Sequence, residues 1–286
     1  MDSLHSCSLI TSRRAAAPCV ERRGRRAPLF FMKLDLLDVF PIWVTALLIA
    51  ALLLGTCELG YQVARRSDLE KSDEGHVLSA MLALLGLLVG FSFSIAVNRH
   101  EQRRILVVDE ANAIETEYLR ALMMPEPYRS RLQDLLRGYA DARLALAAAG
   151  EDRVAIVHAY ALADSLKRQM WVTTVEADSL VQPAALSSLI AGGMNAVIEL
   201  ASSRRAALEA RLPSIAFGSL LLFAAVAAGM LGFVSGSGKH PRRFGAIVML
   251  LLLALALGLI LDLDRPLRGS IKASQQPLID VRASMK

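Results

Sequence analysis

The sequence predicts an all-α membrane protein: four transmembrane helices with a cytoplasmic helical bundle, the second and third membrane helices continuing into the bundle. Three observations lead there. The 286-residue chain is 54% hydrophobic with a mean hydropathy of +0.43, too apolar for a water-soluble surface free of large patches. Its apolar residues gather into four windows without a charge, 39–57, 77–98, 212–238 and 244–261, and a helix needs about 20 mostly apolar residues to cross the hydrocarbon core. No strand pattern and no internal repeat interrupts this, and in lipid a helix bonds each backbone amide within its own segment.

Residues 1–31 carry Arg13, Arg14, Arg22, Arg23, Arg25 and Arg26 against Asp2 and Glu21 alone. That composition cannot bury a core, so the segment is expected to be a disordered basic tail. It mimics a twin-arginine signal, but the apolar stretch begins late and no small-residue cleavage site follows. Met32, opening "MKLDLLDVFPIWV", is the expected start in place of Met1. Cys7, Cys19 and Cys57 have no paired spacing, so neither a disulfide framework nor a zinc site is indicated.

Residues 32–98 read as the first transmembrane hairpin. Glu58 ends its first apolar block, with Arg65 two helical turns on. A carboxylate at that depth must snorkel, pair or face water, which makes it either a charge at a pathway mouth or an interfacial residue. In the second block Gly86 and Gly90 form a GxxxG pattern suited to close helix packing. Ala83, Leu87 and Phe91, four apart, form one apolar line. Such a line faces lipid or, in a symmetric oligomer, rings a constriction that gates by dewetting.

The stretch "VGFSFSIAVNRHEQRRILVVDEANAIETEYLR" begins in residues suited to lipid and ends in residues suited to water. From 77 to 124 there is no proline, and the last glycine is Gly90. A helix of that length is about 70 Å long. In its wet half Val107, Ala111, Ile114, Tyr118 and Ala121 share one face, with Asp109, Glu110 and Glu117 expected to point largely elsewhere. Pro125 and Pro127 end it. The rest of 99–211, the cytoplasmic bundle, holds an apolar stripe of Leu132, Leu135, Leu136, Tyr139 and Leu146. A turn at "GED" and a helical stretch over 153–175 follow. A last helix starts near Pro183, carries Met194, Val197, Ile198, Ala201 and Leu208, and is expected to kink at Gly192 and Gly193. Pro213 suits either the first turn of a new helix or a kink at the water boundary. A helix shared by membrane and bundle couples the two, unless it is merely a stalk.

Residues 212–262 read as the second transmembrane hairpin and 263–286 as a cytoplasmic tail. Asp262 and Asp264 end the last apolar block, where a helix prefers cations, so they are expected to pair with Arg99, Arg103 or Arg104. With Glu58 and Arg265 these make a charged boundary cluster. Two carboxylates are too few for calcium without other ligands, and no metal or cofactor is expected. Lys33, Arg99, Arg103, Arg104, Arg204, Arg205, Arg211, Arg265, Arg268 and Lys272 border the side holding both termini. Arg65, Arg66, Lys71, Lys239, Arg242 and Arg243 border the other. The balance favours cytoplasmic termini in a multi-pass protein of the bacterial inner membrane.

No catalytic constellation stands out. His76, His100, His158 and His240 are scattered, and "GLLVGF" is no phosphate loop, so an enzyme is not expected, and nor is a nucleic-acid partner. "LLGLLVGFSFSIAVNRHEQRRILVVDEANAIETEYLRA", "MNAVIELASSRR…RLP" and "DLDRPLRGSIKASQQPL" resemble the bestrophin-like domain family of bacterial and plant membrane proteins, over 34 to about 282. A more distant likeness is to the bestrophins, pentameric anion channels with four membrane helices and a helical cytoplasmic part. Gly90, Phe91, Val97 and Arg99 fit the outline of their second membrane helix. The resemblance implies that Ala83, Leu87 and Phe91 line the neck of a pore. The chain departs from that pattern at Ala83, small where bestrophins are bulky, and it lacks their acidic calcium-binding run. The implied function is a homo-oligomeric channel passing chloride or another small anion and gated through its bundle. The alternative is a non-conducting scaffold or sensor whose bundle binds a protein partner.

Overall fold

The computed structural model describes residues 41–66, 74–150, 152–237, 243–266, 269 and 271–285. The expectations for 1–31, for a start at Met32, and for Lys33, Lys71, Lys239, His240, Arg242 and Arg268 lie outside them. The described residues form eight α-helices, one 3-10 turn and no strand: α1 (Ile42–Arg66), α2 (Glu74–Ala121), α3 (Tyr128–Ala148), α4 (Arg153–Ala177), α5 (Ala184–Glu209), α6 (Ser214–Ser237), α7 (Arg243–Asp264) and α8 (Gln276–Ser284).

Four stretches are long and apolar enough to cross a bilayer: α1, the first half of α2, α6 and α7. They share a core that includes Ile49, Leu53, Leu85, Ala96, Phe217, Ala224, Leu250 and Leu257. Lipid gives apolar side chains no reason to associate, so small residues that let backbones meet become decisive. They do so between α1 and α6. A methyl group added at Gly232 would lie 1.8 Å from the Cys57 carbonyl oxygen, and one at Gly60 would lie 1.9 Å from that of Gly229. Both obstacles are backbone. Gly232→Ala is therefore expected to cost about 1–3 kcal/mol, the usual range for overpacking, and to lower the melting temperature of the purified chain. Gly218→Ala, with nothing within 4 Å, serves as its silent control.

The second layer is a bundle of α3, α4, α5, α8 and the remainder of α2. Its core takes Ala111, Ile114, Leu132, Leu136, Tyr139, Met170, Met194, Val197 and Leu278. Asp152 caps α4, accepting from the backbone N–H groups of Val154 (2.9 Å) and Ala155 (3.1 Å), and so satisfies donors that the first helical turn leaves open. The last stretch, expected as a tail, is instead part of the bundle. Leu278 and Val281 of α8 and the following Met285 are buried in its core, and Arg282 forks onto Asp141 at 2.7 and 3.0 Å.

Besides the strap that leads from α7 to α8, two connections join the layers, and they differ. The 48 residues of α2 run unbroken from one to the other, about 70 Å at 1.5 Å per residue. The third span reaches the bundle across a joint. α5 passes Gly192 and Gly193 without a break, ends at Glu209, and leaves 210–213 non-helical before α6 begins. Of the two roles open to Pro213 it takes the first: its carbonyl accepts from Ala216 (2.9 Å) and Phe217 (3.2 Å) as a new helix starts.

Candidate functional site

Little of α2 is covered at membrane level. Ala83, Leu87 and Phe91 all lie on its open side, with Leu87 54% and Phe91 61% exposed. The open line continues in phase through Ile95, Asn98, Gln102, Ile105, Asp109, Asn112 and Thr116, each exposed. The opposite side carries Leu85, Ala96, Arg103, Val107, Glu110 and Ile114, each buried. One helix thus presents an uncovered edge through both layers, broad at membrane level, where Leu84, Leu88, Phe93 and Val97 are exposed too, apolar at first and mostly polar beyond Asn98. Gly86 and Gly90 do not pack helices within the chain: an added methyl at either meets nothing within 4 Å. The glycines with that role are Gly60 and Gly232, a signal present in the sequence as closely spaced glycines in α6.

Most of the predicted boundary cluster converges where α1, α2, α6 and α7 meet the bundle. Asp264 faces Arg99 at 3.4 Å and accepts the Leu212 N–H with both oxygens at 3.0 Å, which caps the start of the third span. Asp262 Oδ2 accepts the Ile271 N–H at 3.2 Å, and Arg265 Nη2 donates to Thr45 Oγ1 at 3.4 Å. Arg103 bridges the joint: its guanidinium donates to the carbonyls of Ala207 (3.1 Å), Ala210 (2.9 Å) and Leu263 (2.9 Å). One side chain of the shaft therefore ties down the end of α5 and the end of α7. Two predicted members stand apart. Arg104 is exposed and pairs with Glu101 at 2.8 Å. Glu58 is 13 residues beyond Thr45 along α1, about 20 Å away at the other membrane boundary, where it accepts from Gln62 at 3.3 Å. Arg65, two turns on from Glu58, lies over the Tyr61 ring, 6.0 Å from its centre.

The bundle holds two carboxylates that were expected to point away from it. Glu110 and Glu117 are both fully buried. The reason lies in the register. Val107, Ile114 and Ala121 recur every seven residues, as do Glu110, Glu117 and Met124, and the two sets together make the inward seam of a heptad. Glu110 sits among Arg143 Nε (2.8 Å), Arg143 Nη2 (3.1 Å), the Tyr139 hydroxyl (2.8 Å) and Arg204 Nη1. Arg204 also donates to Gln275 Oε1, which fastens the strap before α8. Burial alone would raise the Glu110 pKa, but the two guanidinium groups outweigh it and hold the carboxyl below its usual range. Glu117 lacks such support. Neither oxygen has a hydrogen-bond partner, and Arg120 Nη1 is 3.7 Å off. Gly193 leaves room for it, since a methyl there would strike Glu117 Oε2. Desolvation pushes its pKa up to about 7, with Arg120 opposing.

Among the described residues no three His, Cys, Asp or Glu side chains gather as a metal site.

The family model of the Bestrophin-like domain matches residues 42–278, from the first turn of α1 into α8. Among solved structures the chain is similar to a bacterial bestrophin homolog from Klebsiella pneumoniae, crystallised with a single substitution. The TM-score is 0.62 at 12% identity, covering 85% of this chain and 96% of that one, a likeness of fold. No curated protein matches. Because the domain match takes in all four spans, the shaft, the bundle and the strap that closes it, the chain belongs to the bestrophin-like domain family.

Proposed function

We propose that the chain is one subunit of a homo-oligomeric channel that passes chloride or another small anion along an axis lined by α2. Ala83, Leu87 and Phe91 form the constriction in this reading, and the bundle, on the cytoplasmic side with both termini, sets its opening through the shaft. The observation that carries the proposal is the uncovered edge of α2. A helix whose other side is tied into both layers leaves an open side that includes, in a single phase from Ala83 to Thr116, a line of residues exposed among the described residues. Rotational copies facing that edge inward would enclose an apolar neck above a polar vestibule, the arrangement that gates by dewetting. Gly86 and Gly90, open within the chain, would then lie near the contact between copies.

Chloride efflux from liposomes tests this. Wild-type protein is expected to conduct, and Phe91→Ala to raise the flux severalfold by widening and wetting the neck, with oligomer size unchanged. A folded oligomer that passes no chloride in either form would leave the non-conducting scaffold as the better account.

A further inference from the structure

On the side of α2 turned away from Phe91, a cavity of about 190 Å³ opens between α2, α3, α5 and the strap joining α7 to α8. His100, Arg103, Arg204 and Lys272 contribute to its wall, and among the described residues no carboxylate lines it. Its charges are poorly balanced. Arg103 is only 4% exposed; its guanidinium donates to three neutral carbonyls, and Asp264, the carboxylate whose charge it feels, is paired with Arg99. Arg204 shares the single carboxylate of Glu110 with Arg143. The two carboxylates nearest the wall are thus each shared between two arginines, which leaves cationic charge to spare for an anion that the chain does not itself supply.

Depth narrows the chemistry. Arg103 comes five residues after Asn98, the end of the charge-free window, which is about 7 Å along the helix. The polar zone of a bilayer is roughly 5–8 Å deep on each side of the hydrocarbon, so the cationic wall stands at phosphate level. Leu208 and Ile271 complete the lining with apolar surface. We propose that this cavity binds a phosphate group, carried by an anionic phospholipid or free in solution. Cationic pockets at that level between helices are suited to such headgroups. The site faces away from the proposed pore and does not depend on conduction.

The full chain, purified in detergent, separates the two sources. Native mass spectrometry with phosphatidylglycerol against phosphatidylcholine reads the lipid. Thermal melting in sodium phosphate against sodium chloride at equal ionic strength reads the free anion. Retention of phosphatidylglycerol over phosphatidylcholine identifies a lipid site, and stabilisation by phosphate beyond chloride identifies a soluble one. In either case the double variant His100→Gln, Lys272→Gln, which spares the carbonyl contacts of Arg103, is expected to weaken binding about tenfold, as loss of charge-assisted hydrogen bonds does. The proposal is overturned if neither ligand is preferred, or if the double variant weakens binding less than fivefold. Arg103→Gln is a second test, read only on protein that keeps its wild-type oligomer size, and judged by the same fivefold criterion.

Discussion

Glu110→Gln is expected to destabilise the protein by about 3–5 kcal/mol, the range for breaking a buried ion pair from one side. The glutamine keeps the shape but leaves Arg143 and Arg204, whose side chains are 2% and 6% exposed, facing each other without a carboxylate. Both guanidinium groups would have to find water or another partner inside a packed bundle. The check is the melting temperature of the purified full chain, with size-exclusion to show whether a folded species survives. Replacing all three charges, Glu110→Leu with Arg143→Met and Arg204→Met, should be milder than the single change, because no uncompensated ion remains. Some loss persists even then, since Arg204 also holds Gln275. A Glu110→Gln protein as stable as wild type would show that the carboxylate is not the counter-charge of this core. The acid side of the pH profile belongs to the same group. Its folded pKa is depressed, so its contribution is present above the ordinary carboxylate range and is lost as pH falls through the folded value.

Much of the fold was legible because lipid is a strict solvent. A charge-free window of bilayer length is rare outside a membrane span, and all four became helices close to their predicted positions. The shaft was legible for the same reason in reverse: nothing between Val77 and Ala121 can break a helix, and nothing does. What escaped were features that depend on partners far away in sequence. Glu110 and Glu117 were expected outside because a charge usually faces water. Their positions on the heptad seam carried the contrary signal, but only the folded bundle supplies Arg143 and Arg204 as partners 33 and 94 residues on. Glu58 and Asp262 each end an apolar block and look equivalent in the sequence. The alternation of spans places them at opposite boundaries. The α1–α6 contact was missed because GxxxG marks closeness without naming the neighbour: Gly232 and Gly236, which pack on α1, form the same pattern as Gly86 and Gly90, which do not.

Arg103 shows how the two connections work together. The shaft is rigid by helix geometry, whereas 210–213 is a joint. By donating to Ala207 and Ala210 on one side of that joint and to Leu263 at the end of α7, Arg103 ties the third and fourth spans to the second. The orphan carboxylate at Glu117 lies on the same shaft, deeper in the bundle.

Between about pH 5 and pH 8, Glu117 is expected to impose a loss of stability that Glu117→Gln removes. The side chain lies 19 residues beyond Asn98, about 28 Å along the helix, and is fully buried. The facing part of α5, from Ala184 to Val197, has no titratable residue. Arg120 is committed in part to the Leu189 carbonyl at 3.3 Å. On α3, Arg137 is held by Asp134 and the Tyr118 hydroxyl, and on α8 Arg282 is held by Asp141. Only Arg120 therefore opposes desolvation, and the folded pKa stands at about 7 against an ordinary 4.5. The folded state thus keeps a proton that the unfolded chain releases. Relative stability is full below about pH 4.5, falls as pH rises, and levels off above about pH 7. The total is about 3 kcal/mol. Glutamine stays neutral throughout. The variant should match wild type near pH 4.5 and melt several degrees higher at pH 8, so that the difference between the two melting curves, rather than either alone, isolates this carboxyl. Parallel pH profiles for the two proteins would mean that Glu117 is ionised and solvated in the native state, and that the notch at Gly193 admits water.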